Sequence, residues 1–345
     1  MAKMSSLERV ATAIQLKEPD RVPVIPVLMI RALREIGVKA TQQVLKDPDI
    51  MAQAKIAAFK KYGGDALVAG TGLNVEAEAL GCTMEYQEEE IPIVQDRILE
   101  QNPSLDRLGE IDIHKGRVKA VAKEVEILNG EYGSNAVVGV CISGPFTTSM
   151  ELRGLSGAVA DMENNPGYFK SLMEKSTREI IRYVDILIDH GALALDMLEP
   201  LCSCDVISPD MYRKWALPYQ NTVMEHIKSK GRVPIIHVCT YTQPIWNTLI
   251  ESGALAFHGD IQPSLKKCNE DIGKKICLIG NVHPIDVLLY GSAEDVRQTS
   301  EECIKSAGPG GGFVLAAGCD TGFDVPDENF HAMVETAQRT NYPLN

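Results

Sequence analysis

Along most of the chain, short apolar runs alternate with longer segments whose apolar residues recur at helical spacing. Ser5-Ser6-Leu7-Glu8 opens the first helix with a hydroxyl cap and an early acid, and Leu7, Val10, Ala11 and Ile14 share one face of it. Glu18-Pro19-Asp20 ends that helix, and the run from Val22 to Leu28 predicts a strand. Asp47-Pro48 starts a second helix that reaches about Tyr62 and stops at Gly63-Gly64. Ala66-Leu67-Val68-Ala69 is then a second strand. Further apolar runs at 136–142, 192–197, 233–239, 255–258, 276–279 and 312–316 bring the strands to eight. Helical segments lie at about 115–128, 165–189, 208–230, 243–252, 293–307 and 326–339. Strands that alternate with helices pair in parallel through right-handed crossovers, and eight of them close a (β/α)8 TIM barrel.

One stretch breaks the rhythm. From Thr71 to Asn102 there is no core period, and Glu76, Glu78, Glu88, Glu89 and Glu90 make it acidic. It reads as an insertion over one barrel end, its glutamates a solvated face. No composition shift or linker divides the chain, so residues 1–345 form one domain with an N-terminal helical extension.

Composition narrows the function. The 345 residues are 45% hydrophobic, enough for a large core, and the net charge of −13 argues against a nucleic-acid partner. No run approaches the roughly 20 apolar residues of a membrane span. Met1-Ala2-Lys3-Met4 leads into the first helix without the apolar centre of a signal peptide. Nine cysteines without a dense framework point to a reducing cytoplasm and free thiols. No particular oligomeric state is implied.

The candidate chemistry sits where strands end, the face on which barrel enzymes carry their active sites. Alternate residues of a strand point the same way, so His237 and Cys239 leave the fifth strand on one face. Cys319 and Asp320 follow the eighth strand, Asp260 the sixth, Asn281 and His283 the seventh, and Glu199 the fourth. His237, Cys239 and Cys319 make a three-ligand zinc site with a fourth position open; the alternative is a core histidine beside a small buried hydrophobe. Two thiolates and a neutral imidazole bring zinc to zero formal charge, so a coordinated thiol would lose its proton yet stay nucleophilic. That implies activation of a nucleophile without redox. Asp260 reads either as a fourth ligand displaced by substrate or as a turn former after Gly259. Asn281-Val282-His283-Pro284 either positions a ligand or caps a helix, and Ser143-Gly144-Pro145 is a tight turn able to admit a bulky planar cofactor. Cys202 and Cys204 form a second Cys-x-Cys near the same face. Cys141 and Cys277 read as core residues, and Cys82, Cys268 and Cys303 as helix or surface residues. Gly308 to Gly312 precedes a strand and lacks the ending of a phosphate loop, and neither a nucleophile elbow nor a dinucleotide fingerprint is present.

Several motifs resemble the uroporphyrinogen decarboxylase superfamily: Pro19-Asp20-Arg21-Val22-Pro23-Val24, Gly144-Pro145-Phe146-Thr147, Glu199-Pro200 leading to Ile207-Ser208-Pro209, Leu278-Ile279-Gly280-Asn281-Val282, and Gly318-Cys319. His237-Val238-Cys239 with the distant cysteine resembles, more narrowly, the methylcobamide:coenzyme M methyltransferases, the methyltransferase A branch. The resemblance implies the (β/α)8 barrel of the uroporphyrinogen decarboxylase type, zinc on His237, Cys239 and Cys319, and a corrinoid protein that presents a methylcobamide at the barrel mouth. It implies methyl transfer to a thiol, coenzyme M first, with tetrahydrofolate as the alternative acceptor. A methyl-donor:corrinoid transfer of the O-demethylase type is a third reading, and a corrinoid- or tetrapyrrole-binding chaperone a non-enzymatic one. Asp260 falls where the branch has a glutamate, a longer acid. Decarboxylation itself fits poorly, because residues 25–31 lack the basic cluster that would hold an acidic tetrapyrrole.

Overall fold

A computed structural model describes residues 3–262 and 264–344. The first two residues of Met1-Ala2-Lys3-Met4 therefore lie outside the description. The barrel strands are β1 (Val24–Ile25), β2 (Ala66–Ala69), β5 (Val137–Ser143), β6 (Ala194–Leu198), β7 (Val233–Val238), β8 (Ala256–Gly259), β9 (Cys277–Val282) and β10 (Phe313–Ala317). They form one parallel sheet in the order β1-β10-β9-β8-β7-β6-β5-β2. The expected eight-stranded barrel is the observed one. The remaining strands, β3 (Thr83–Glu85) and β4 (Ile93–Asp96), make a separate antiparallel pair in the insertion.

The first strand is much shorter than its apolar run, because Pro23 and Pro26 bracket it and carry no ladder donor. The seam between β1 and β2 is closed mainly by Asp65. Its backbone N–H donates to Val24 O at 2.8 Å, and its Oδ2 accepts the Val24 N–H at 2.9 Å. The same buried carboxylate binds Ser6, Arg9 and Arg21, and Arg9 also binds Asp20. The Pro-Asp-Arg motif thus locks the N-terminal helix Ser6–Ile14 across the N-terminal end of the barrel, where Val10 packs with Ala66, Val137 and Ala194.

The insertion departs from expectation. It contains a helix, Val75–Ala79, besides the hairpin. Glu76 is buried and accepts the Ser143 N–H at 2.8 Å, and Glu78 pairs with the buried Arg117, so neither belongs to a solvated face. Glu88 remains exposed beside Lys39. Helices Pro145–Arg153 and Leu155–Asn164 follow β5, where only a turn was expected, and Leu265–Ile272 lies between β8 and β9. The predicted helix 243–252 is split into a 3-10 turn and Trp246–Ile250. Cys268 and Cys303 lie on helices, as expected, and with Cys82 they are buried and not at the surface. Among the described residues no helix is long and apolar enough to cross a membrane.

Inward residues of the strands surround a cavity of about 390 Å³ that runs from the N-terminal helix toward the C-terminal strand ends. The period of two is visible in its wall: Ala194, Asp196 and Leu198 from β6, then Ile235 and His237 from β7, with Cys239 just beyond.

Candidate metal centre

His237 and Cys239 bracket the C-terminal end of β7, and Cys319 lies just past β10, three strands away around the barrel. Closure brings them together. His237 Nε2 is 3.1 Å from Cys239 Sγ and 3.7 Å from Cys319 Sγ, and the two sulfurs are 4.0 Å apart. Donor atoms around a tetrahedral zinc would be separated by about 3.5–3.8 Å, given Zn–S near 2.3 Å and Zn–N near 2.0 Å. The three separations scatter about those values, so this donor set fits zinc in spacing as well as in softness. Among the described residues it is the group of His, Cys, Asp and Glu side chains so arranged.

The imidazole is preset for that role. His237 Nδ1 lies 3.0 Å from the carbonyl of His258, so it carries a proton there and turns Nε2, the atom zinc would take, toward the sulfurs. The rings of His237 and His258 stack with centroids 4.5 Å apart. His258 is held in turn by Asp196 Oδ2 at 3.1 Å and the carbonyl of Ala317 at 3.0 Å. Neither Asp196 nor His258 was singled out from the sequence. Each lies on the inward side of a strand, and that was the available signal.

The contact with Cys239, and with it His237, lowers Cys319 well below the ordinary thiol range against the effect of burial. Cys239 is pushed far up, first by that contact and then by burial. Burial alone would lower His237, but Cys319 raises it to about 9. Asp320, in the cavity wall, is pushed up to about 7 by burial and by the neighbouring Cys319.

The other candidates serve the backbone. Asp260 is outside the cluster: its Oδ2 accepts the Thr240 N–H at 2.8 Å and its Oδ1 the Ile261 N–H at 2.7 Å. Glu199 is fully buried and accepts the N–H groups of Phe146 and Thr147 at 3.1 and 2.7 Å, capping the helix after β5. A Cβ on Gly144 would lie 2.2 Å from the Glu199 carboxyl carbon, so the Glu199 side chain fills the space beside this turn. His283 Nδ1 accepts the Ile285 and Asp286 N–H groups, the capping alternative. Asn281 donates to the Asp260 carbonyl. None of Glu199, Asn281 and His283 lines the central cavity. Cys202 is buried against Gln220, and Cys204 is half-buried; both stand apart from the cluster.

Fold and cluster together define a (β/α)8 barrel protein with a three-donor centre at the C-terminal ends of its strands. The chain belongs to the uroporphyrinogen decarboxylase (URO-D) family, whose model matches residues 5–340. Among curated proteins it is 24% identical over 345 residues to the methylcobamide:CoM methyltransferase MtbA of Methanosarcina mazei, covering 99% of this chain and 100% of that protein. It is also 24% identical to the methylcobamide:CoM methyltransferase MtaA of Methanosarcina barkeri, over 99% of each chain. A solved structure described as a methyltransferase from Methanosarcina mazei superposes with a TM-score of 0.88 at 23% identity, over 97% of this chain and 98% of that one. At that identity the superposition shows the fold.

Proposed function

We propose that this chain is a zinc-dependent methyltransferase that moves a methyl group between a methylated corrinoid protein and a thiol. The observation that carries the proposal is the convergence of His237, Cys239 and Cys319 on one point at the end of a largely apolar cavity. The match to methylcobamide:CoM methyltransferases along nearly the whole chain supports it and makes coenzyme M the first acceptor to test. Tetrahydrofolate and a methyl-donor:corrinoid reaction of the O-demethylase type remain alternatives at the same centre.

Zinc held by these side chains would supply a Lewis acid that keeps a bound thiol deprotonated at neutral pH. The chain's own residues do the rest. His258 fixes the tautomer and tilt of His237 through its carbonyl and its ring. Asp260 fixes the backbone just after Cys239. The largely apolar wall would lower the local dielectric, which strengthens electrostatic contacts at the reacting sulfur.

The test is metal analysis of the purified protein with a transfer assay. Methylcobalamin is mixed with coenzyme M, homocysteine or tetrahydrofolate, and the loss of methyl–cobalt absorbance is followed. One zinc per chain and thiol-dependent demethylation are expected. A protein that binds corrinoid but holds no zinc and transfers nothing would be the chaperone instead.

A further inference from the structure

A (β/α)8 barrel ordinarily fills its interior with layers of bulky branched side chains. This barrel leaves part of one layer out. Gly139, Ala194 and Val233 stand in register on the neighbouring strands β5, β6 and β7, and all three line the central cavity. Ala66 and Val68 of β2 continue the same wall. Val68, Val233 and Ile235 point inward yet keep partial exposure, which a packed layer would not leave them.

Nothing in the backbone requires the glycine. A glycine inside a strand weakens it, and it commonly marks a bulge or a close approach by another backbone or a ligand. The register runs unbroken through Gly139 against both β2 and β6, so there is no bulge. Gly139 is not among the residues of positive φ, and a Cβ built on it would meet no heavy atom nearer than 3.7 Å, an ordinary contact. Of the usual reasons, the one left is a ligand on the cavity side.

The wall there is hydrocarbon. Its polar members gather at the two ends: Asp196 and the residues of the metal centre above, and below them Gln15, whose amide oxygen accepts the Lys17 ammonium at 3.1 Å. Between those ends lie Ala66, Val68, Val137, Gly139, Ala194 and Val233. Apolar cavities take apolar guests in preference to water. Val233 precedes His237 by four residues on β7, roughly 13 Å along the strand and about 11 Å down a barrel axis at the usual tilt, the length of an alkyl chain of about eight carbons.

Resting on the methyl-transfer reading above, we infer that the thiol served by this centre carries a hydrocarbon chain, which lies in the barrel interior beneath the metal centre, and that Gly139 and Ala194 set the length of chain accepted. A two-carbon thiol would leave that part of the interior unused. The transfer itself balances for any chain. The thiol proton leaves to solvent, sulfur forms the bond to the methyl carbon, and the Co–C bond breaks with both electrons remaining on cobalt.

The test uses the full-length zinc-loaded protein with ethanethiol, 1-butanethiol and 1-hexanethiol, which share one thiol chemistry and differ only in methylenes. Binding is measured by calorimetry and transfer by demethylation of methylcobalamin. Each added methylene is expected to tighten binding and raise kcat/KM by roughly two- to fourfold. Gly139→Leu places a side chain in the path of the chain, and the ratio of hexanethiol to ethanethiol is expected to fall to within about twofold of unity. Gly139→Ala, whose added carbon meets only ordinary contacts, is expected to lower that ratio part of the way. Equal binding and transfer for the three thiols by the wild-type protein would overturn the inference and leave the methyltransferase reading intact. A ratio that neither substitution lowers, in protein that is folded and holds zinc, would overturn it as well. Binding that tightens with chain length without transfer to any thiol would instead remove the reading on which it rests. The wild-type series and the alanine variant decide the matter whether or not the leucine variant folds.

Discussion

The carboxylate of Asp260 accepts the backbone N–H of Thr240 at 2.8 Å and so holds the residue that follows Cys239. Thr240 sits at φ +54°, a left-handed conformation that a β-branched side chain rarely adopts. The Ser203 hydroxyl meets the Thr240 hydroxyl from the other side at 2.5 Å. This bend turns the chain away from the strand while the Cys239 sulfur stays pointed at His237. Asp260→Ala is therefore expected to lower zinc affinity roughly 10–100-fold, the usual effect of losing an outer partner of a metal ligand. Turnover of the zinc-saturated protein should fall less. Competition with a chromophoric chelator measures the affinity, and an unchanged value would restrict Asp260 to a local turn.

Cys239→Ala and Cys319→Ala are each expected to abolish zinc retention and methyl transfer while the far-ultraviolet circular dichroism stays that of the wild type. Both cysteines are partly exposed at the barrel mouth, so neither truncation empties the core. Retained zinc and rate in either variant would remove that residue from the centre.

Asp65→Ala should be among the more damaging single changes. It leaves Arg9 with half its carboxylate partners, strips the Arg21 guanidinium of its carboxylate, and frees the Val24 N–H. Breaking a buried pair in this way costs on the order of 3–5 kcal/mol, readable as a shift of the urea midpoint. Zinc binding by the folded fraction should persist.

Glu199→Ala removes the acceptor of two buried N–H groups at the start of the helix after β5. A loss of about 1–3 kcal/mol is expected, with Glu199→Gln much milder because an oxygen remains. If Glu199 instead touched a cofactor, the glutamine variant would keep stability and lose activity.

Acid should weaken the contact between the 3-10 turn Ile30–Ile36 and the last helix, Asp327–Gln338. Burial alone would raise Glu35 and Asp327, but Lys61, Tyr62 and Arg31 hold both below the ordinary carboxylate range. A depressed carboxylate contributes its full stability above the unfolded value, about 4, and loses it as pH falls toward the folded value. Stability should therefore decline below about pH 4. The Glu35→Gln variant should lose less over that interval in pH-dependent thermal unfolding.

The period of the chain made the barrel legible. Where apolar runs of strand length were separated by helical segments, the observed strands fall within or beside them, and the i, i+2 relation put His237 and Cys239 on one face in advance. The proline-bounded first strand and the acidic insertion were read less well. There local pattern competes with contacts from far along the chain, such as Ser143 on Glu76 and Arg117 on Glu78. Glutamates that look solvated in isolation were buried by distant partners.

What the sequence determined by itself was the alternation of strand and helix, and with it which residues would stand at the strand ends. Local periodicity encodes those things, because they depend on neighbours two to four positions away. Only the closed barrel decided that Cys319 lies 4.0 Å from Cys239 across 80 residues, and that Asp260, Glu199 and His283, equally polar and equally placed, hold backbone N–H groups. The physical reason is that backbone N–H groups at strand and helix ends need acceptors, and which side chain lies within reach of them is set by how the strands curve round to meet.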